Sequence, residues 1–185
     1  RLLQVFEPDA VQTDNIWGYL WGKLAYGAML FATALTPDSM TENFADPRRT
    51  VVFARLGREV MAVARARGVT PVGFNGFDPE AFAPEASDAH ARASVAALAE
   101  FNRHGAKTHS GIYRDLAVRK RRTEIDEQIG IVAELGRDVG VATPALSRLV
   151  ELIHDIEDGR RPMAFATFEA LIDTCTSAST AASRS

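Results

Sequence analysis

A lysine in the middle of the most apolar stretch of the chain is the first residue that could do chemistry. Lys23 lies within residues 16–35, and at helical spacing Lys23, Gly27 and Phe31 follow one another along one stripe. A buried ammonium group without a partner is costly, so such a lysine either serves a site or covers apolar surface with its stem while its charge stays in water. The local pattern alone favours the second interpretation.

Four side chains later in the chain carry groups that could bind a ligand or react. Glu124 lies in the first turn of a predicted helix, where the helix dipole favours any acid. The hydroxyls of Thr108 and Ser110 fit helix capping better than ligand binding. His109 has no cysteine, serine or metal ligand at a catalytic spacing, so we expect it to be solvated. None of these residues identifies a site on its own.

Composition excludes several classes of function. The net charge of −3 gives no strong field for nucleic acid or an anionic membrane, and the basic run at residues 119–122 has no interleaved aromatics. No stretch reaches the roughly 18 uncharged apolar residues of a membrane span. No Cys/His cluster has metal-ligand spacing, so we expect no metal site. The single cysteine, Cys175, cannot form an internal disulfide, which fits a cytoplasmic location.

Apolar periodicity and capping residues predict an all-α fold of about seven helices. We assign residues 13–176 to one helical domain, residues 1–12 to a linker or the end of a strand, and residues 177–185 to a flexible tail. The predicted helices cover 16–36, 47–68, 87–103, 110–119, 123–139, 143–158 and 163–176, with a short helical turn at 39–45 and a loop at 69–85.

Two of the predicted helices begin with recognisable capping patterns. Thr123 followed by Asp126 approximates a capping box, in which each side chain binds a backbone N–H of the other residue. Thr143 and Pro144 form an N-cap and first-turn pair. Both patterns predict that these helices are capped by residues adjacent in the sequence.

A phosphate-binding glycine loop is missing from the sequence. Gly73 and Gly76 have the wrong spacing for G-x-G-x-x-G and follow no predicted strand. We therefore do not expect this chain alone to bind a dinucleotide. The chain also begins at Arg1 rather than methionine, close to an apolar run, so we expect an excised domain or a fragment.

Two segments, taken together, carry a family resemblance. Residues 13–24 read Thr-Asp-Asn-Ile-Trp-Gly-Tyr-Leu-Trp-Gly-Lys-Leu. Residues 110–115 read Ser-Gly-Ile-Tyr-Arg-Asp, and residues 123–126 read Thr-Glu-Ile-Asp. Further matches stand at Gly130, Gly140, Val141, Thr143 and Pro144. In order and spacing, these pieces resemble the C-terminal domain of the ketopantoate reductase (2-dehydropantoate 2-reductase) family, over nearly the whole chain.

The resemblance implies a two-domain reductase of which this chain is the substrate-side half. In the family, an N-terminal Rossmann domain binds NADPH, and a helical domain like the C-terminal domain of 6-phosphogluconate dehydrogenase completes the substrate cleft. The family lysine matches Lys23 and would donate a proton to the ketone oxygen of a 2-oxo acid. The family glutamate matches Glu124 and would position that lysine or a substrate hydroxyl. A positioned ammonium suits this role because hydride addition develops negative charge on oxygen.

Departures from the family pattern concern the contacts with substrate. Asparagines often stand four and eight residues after the family lysine, where this chain has Gly27 and Phe31. The family serine matches Ser110, but the run from there to Glu124 is one residue longer, which brings Gly111 into consideration. Loss of polar partners weakens the recognition of a substrate hydroxyl. The resemblance therefore makes Ser110, Gly27 and Gly111 the candidate substrate-binding residues.

Three functions stay open at this point. The first is NADPH-dependent reduction of a 2-oxo acid, as in 2-dehydropantoate 2-reductase of pantothenate biosynthesis, with this chain inactive without its Rossmann domain. The second is the same chemistry on a different 2-oxo acid, which Gly27 and Phe31 favour. The third is a non-catalytic helical module for dimerisation or ligand binding. The resemblance also implies a homodimer.

Overall fold

The computed structural model describes residues 5–6, 8, 10, 12–74 and 76–182, the last five of them by backbone alone. This part of the chain is all-α, as predicted, and has no β-strand. Its helices are α1 (Ile16–Thr33), α2 (Met40–Ala45), α3 (Thr50–Ala66), α4 (Asp88–Arg103), α5 (Gly111–Tyr113), α6 (Ile131–Asp138), α7 (Pro144–Glu157) and α8 (Phe165–Ala182). None of the described helices is both long and apolar enough to cross a membrane. Much of the predicted linker at 1–12 and the end of the predicted tail lie outside the described residues.

Some helix boundaries differ from the prediction because tertiary contacts decide where they fall. α1 stops at Thr33, short of its predicted end, where the Thr33 carbonyl accepts a hydrogen bond from the buried Asn43 side chain at 3.3 Å. α3 begins at Thr50, so Pro47 lies in the preceding turn rather than in the helix. α8 continues to Ala182, well past its predicted end. The loop at 69–85 holds one 3₁₀ turn, as expected.

Two π-helical stretches flank the segment that contains Glu124. Arg114–Arg119 continues α5, and Asp126–Gly130 leads directly into α6. Lys120 ends the first stretch with a φ of 52°, the only left-handed non-glycine residue in the described part of the chain. Such wide turns are rare and often occur at functional sites. Residues 120–125 therefore connect two π-helical stretches.

α1 and α3 form the centre of the domain. They pack against each other, and α7 and α8 pack against other sides of α3. The ring of Phe53 in α3 lies 4.7 Å from the ring of Phe44 in α2 and 5.9 Å from that of Phe168 in α8, measured between centroids. All three rings are buried. This core holds α1 by its buried side and leaves Lys23 exposed on the other.

The N-terminus of α7 is capped by a residue from α3. Thr143 occupies the N-cap position, but its side chain makes no capping hydrogen bond, contrary to the predicted pattern. Instead, the buried Glu59 carboxylate accepts hydrogen bonds from the backbone N–H groups of Ala145 (3.1 Å) and Leu146 (2.9 Å). Arg55 donates to the same carboxylate at 2.8 Å. The carboxylate also lies where the helix dipole favours negative charge.

Two glycines on α1 let an extended segment lie directly on the helix. The Val72 backbone N–H donates to the Gly18 carbonyl oxygen at 3.0 Å. A Cβ atom at Gly18 would overlap the Thr70 carbonyl oxygen, and one at Gly22 would overlap that of Val72. Residues 70–72 therefore contact the α1 backbone more closely than any other residue type would allow.

We expect Gly22→Ala to lower the free energy of unfolding by about 1–3 kcal/mol, because the added methyl group must push away a backbone carbonyl. Gly27→Ala is the matched control on the same helix. Its Cβ would meet nothing nearer than the Gln128 side chain at 3.7 Å, so alanine there should stabilise the helix by roughly 0.5–1 kcal/mol. Urea denaturation of both variants measures the two effects. Equal destabilisation by both substitutions would contradict the close approach at Gly22.

Candidate active site

An open groove of about 780 Å³ runs along the exposed side of α1. It collects side chains from α1, from the loop after α3, from the segment between α4 and α5, from the start of α5 and from the π-helical stretch before α6. The residues that line it are Tyr19, Lys23, Tyr26, Gly27, Leu30, Phe74, Lys107, Ser110, Gly111, Ile112 and Gln128. Four of the five predicted site residues, Lys23, Gly27, Ser110 and Gly111, therefore meet in one place.

Lys23 is exposed, and within the described residues its ammonium group makes no hydrogen bond or ion pair. The side chain lines the groove and also a smaller pocket of about 340 Å³ beside it, which Trp17 and Leu20 share. Because its charge is solvated, the cost of burying an ammonium does not arise. Its position at the junction of two concavities is what makes it a candidate for contact with a ligand.

Glu124 reaches the groove only through another residue. Its carboxylate is exposed and does not line the groove, and no hydrogen bond joins it to Lys23 in the described structure. The Gln128 side-chain amide donates to the Glu124 carboxylate at 2.9 Å and lines the groove together with Lys23. Gln128 was not predicted as a site residue. Its spacing of four residues from Glu124, which brings side chains together in helices, is the signal that could have found it.

Ser110 and Gly111 form the groove wall at the start of α5. Ser110 is buried, and its side-chain oxygen accepts the Tyr113 backbone N–H at 3.1 Å, which makes it the N-cap. A serine hydroxyl that accepts in this way still has its own proton to donate. A Cβ at Gly111 would meet only the Arg114 side chain, at 4.0 Å. The capping interpretation of Ser110 and a ligand contact are therefore compatible.

The segment before Glu124 is held by hydrogen bonds to α7 rather than capped by a residue close in sequence. The backbone N–H and the hydroxyl of Thr123 both donate to one Glu157 carboxylate oxygen, at 2.7 Å and 2.8 Å. The predicted capping box is wrong, because Asp126 pairs with His154 at 3.1 Å instead. The Glu157 side chain is only 2% exposed. A buried carboxylate from α7 thus holds the turn from which Glu124 projects.

The two departures from the family pattern on α1 occupy different environments. Gly27 lines the groove, whereas Phe31 is buried in the core and does not. An α-helix turns about 100° per residue, so eight residues after Lys23 the side chain has rotated roughly 80° away from it. Only Gly27 therefore alters the groove directly.

Tyr26 and Lys107 line the groove and were not predicted from the sequence. The Tyr26 hydroxyl exchanges hydrogen bonds with the buried Asn102 amide at 3.2–3.4 Å, and burial raises the pKa of that hydroxyl. Lys107 is exposed and makes no hydrogen bond or ion pair in the described structure, so the groove has a second available ammonium group. Tyr26 lies on α1 three residues after Lys23, a helical spacing that could have found it. Lys107 belongs to no local motif, and only the fold brings it to α1.

Two other potentially reactive side chains do not join the groove. His109 packs against the Tyr113 ring, with centroids 4.1 Å apart, and its Nε2 lies 3.0 Å from the Pro37 carbonyl oxygen. Cys175 is buried, which raises the pKa of its thiol to about 12 and keeps it protonated at neutral pH. Neither residue is placed as a nucleophile or base for this site.

Fold and groove together define an all-helical domain with an open groove that presents available lysines, a serine hydroxyl and an amide. The model of the family described as "Ketopantoate reductase PanE/ApbA C terminal" matches residues 15–157. The chain belongs to this family, as its sequence resemblance suggested. No curated protein matches the chain by sequence.

The fold is shared with several solved structures, of which two are representative. One is a PanE/ApbA family ketopantoate reductase from Ralstonia eutropha JMP134, with a TM-score of 0.61 and 26% identity over 80% of this chain and 43% of that chain. The other is a D-mandelate dehydrogenase with NADH and anilino(oxo)acetate. It has a TM-score of 0.62 and 24% identity, over 80% of this chain and 54% of that chain. At 24% identity, the second likeness shows the fold alone. The chain spans about half the length of these structures.

Proposed function

We propose that this chain is the substrate-side domain of an NADPH-dependent reductase of 2-oxo acids, related to 2-dehydropantoate 2-reductase. The observation that carries the proposal is Lys23, an available ammonium group at a groove that also contains Ser110 and the Gln128 amide. Membership in the ketopantoate reductase family supports it. The proposal assigns the remaining activity to a dinucleotide-binding domain acting together with this chain.

In the proposed reaction, Lys23 donates its proton to the ketone oxygen while the carbonyl carbon receives a hydride, giving a 2-hydroxy acid. A bound nicotinamide dinucleotide would supply that hydride. The ammonium group also stabilises the negative charge that develops on oxygen. Glu124 would act on the groove through Gln128, and the Ser110 hydroxyl would donate a hydrogen bond to the substrate. Lys23 is returned to its charged form by a proton from solvent, which its exposure permits.

The loop with Gly73 and Gly76 does not fit the phosphates of a dinucleotide. It closes on itself through a backbone bridge between Phe74 and Phe77. It precedes no α-helix N-terminus that could face a phosphate, as the Rossmann motif requires. In the proposed reaction, this chain supplies Lys23, the acid that protonates the ketone oxygen. We therefore assign the nucleotide to a separate domain.

The test is an assay of the full-length protein that joins this chain to a dinucleotide-binding domain. Oxidation of NADPH and of NADH is followed by absorbance with ketopantoate and with small, branched and aromatic 2-oxo acids. We expect oxidation that depends on a 2-oxo acid. Simple ketones without a carboxylate are the matched control and should react poorly. If no 2-oxo acid supports oxidation, the proposed function is wrong and the non-catalytic helical module becomes the better hypothesis.

A further inference from the structure

One wall of the groove is a rigid aromatic surface. The Tyr26 hydroxyl is bound to the Asn102 side-chain amide, which also donates to the Leu98 carbonyl oxygen at 2.8 Å. The Tyr26 ring meets the Phe74 ring edge-on at 5.8 Å and lies 6.3 Å from the Phe77 ring, between centroids. Both the hydroxyl group and the ring orientation of Tyr26 are thus fixed. A ring held in this way can stack against a ligand with little further loss of conformational freedom.

Gly27 leaves space in the groove and offers no polar group. The nearest atom to a Cβ built at Gly27 is the Gln128 amide oxygen, at 3.7 Å, so a longer side chain fits there and would project into the groove. With glycine, that volume is open to the ligand. Glycine adds no hydrogen-bond partner for a substrate hydroxyl there, which leaves the Gln128 amide oxygen as the nearest polar atom.

The rest of the lining combines apolar surface with positive charge. Leu30, Phe74 and Ile112 extend the apolar wall beside Tyr26. Lys23 and Lys107 supply two ammonium groups that no described acid pairs with. The groove therefore matches a ligand that combines a negative charge with a flat apolar group.

We propose that the substrate is a 2-oxo acid with an aromatic side chain, which occupies the space beside Gly27 and stacks against Tyr26. This inference rests on the proposed reductase function and narrows its substrate class. Lys107 binds the substrate carboxylate, and Lys23 faces the ketone oxygen. Ketopantoate, whose branched side chain ends in a hydroxyl, has no flat apolar group to fill this space or to stack against Tyr26.

The test compares kcat/KM for phenylpyruvate, pyruvate and ketopantoate in the full-length protein. We expect the wild type to prefer phenylpyruvate by about tenfold or more over each of the others, as apolar pockets of this kind allow. Gly27→Asn should lower kcat/KM for phenylpyruvate about tenfold or more and change that for pyruvate much less, because the new side chain occupies the aromatic space. Gly130→Asn is the matched control, since Gly130 lies outside the groove and has room for a Cβ.

A second pair of variants tests the wall itself and remains informative if one protein folds poorly. Tyr26→Phe keeps the ring and should preserve the preference for phenylpyruvate, whereas Tyr26→Leu should reduce it. Thermal melting establishes that each variant is folded. Lys107→Met should raise KM for all three acids to a similar degree and leave their ratios unchanged.

The outcomes separate the inference from the function on which it rests. If pyruvate or ketopantoate is the preferred substrate, or if Gly27→Asn and Tyr26→Leu leave the ratios as in wild type, the aromatic assignment is overturned and the reductase function stands. If no 2-oxo acid supports oxidation of the dinucleotide, both the reductase function and the aromatic assignment are overturned.

Discussion

Replacing Lys23 by alanine is expected to lower kcat for the preferred 2-oxo acid by roughly 100- to 10,000-fold, the range in which a general acid contributes. The substitution removes both the proton donor and the charge that stabilises the developing alkoxide. Lys23 is exposed and contacts no partner in the described structure, so its loss should leave the fold intact. Steady-state oxidation of NADPH in the full-length protein measures the effect, and thermal melting checks the fold.

Lys23→Arg is the informative companion variant. A guanidinium keeps the positive charge but releases a proton far less readily than an ammonium group. We expect this variant to bind substrate with a KM near that of wild type and to remain slow in kcat. Full activity in Lys23→Ala would show that the proton comes from elsewhere, and Lys107, the second available ammonium at the groove, would be the next candidate.

Replacing Glu59 by alanine is expected to lower the free energy of unfolding by about 3 kcal/mol, because it leaves Arg55 and two backbone N–H groups at the start of α7 without their buried acceptor. Urea denaturation measures the loss. Glu151→Ala is the matched control on α7. That carboxylate pairs with Arg148 at an exposed position, so its removal should change stability by no more than about 1 kcal/mol. A small effect at Glu59 would mean that water or Thr143 can take over the cap.

The buried Glu59 carboxyl group also predicts that the stability of the protein depends on pH. Burial raises the pKa of Glu59 in the folded state, against the opposing hydrogen bonds from Arg55, Leu146 and Ala145. The folded state then holds the proton more tightly than the unfolded state. The free energy of unfolding that this group contributes is therefore largest below the ordinary glutamate pKa and declines as the pH rises through the raised one. Glu59→Gln has no such group, so the difference between the two proteins should change as the pH rises above the ordinary glutamate pKa of about 4.3. A constant difference would contradict this assignment.

Part of the candidate site could be predicted from sequence, because its signals are local or carried by a family motif. Lys23 stands out within an apolar helix, and Ser110 has the capping position that the structure confirms. Neither signal identified a site alone, since a solvated lysine and a capping serine are common. Only the ordered pair of motifs, which the family match confirms, gave these residues a proposed role.

The fold class was also accessible from the sequence, with errors where a distant residue replaces a local one. Thr143 was predicted to cap α7, but Glu59 does so from 86 residues away. Thr123 was predicted to form a local capping box, but it binds Glu157, 34 residues further on. A capping pattern identifies only side chains that are near in sequence. It cannot predict a carboxylate that packing brings to the helix N-terminus from a distant part of the chain.

Sequence by itself determined the helices of this protein and its most prominent chemical group, because periodicity and the types of side chain act within one or two turns. The tertiary structure decided what surrounds that group. It brought Lys107 and Gln128 to the groove beside α1, buried Phe31, and linked Glu124 to the groove through Gln128. These relations depend on how helices pack, and packing is set by the whole core rather than by any segment.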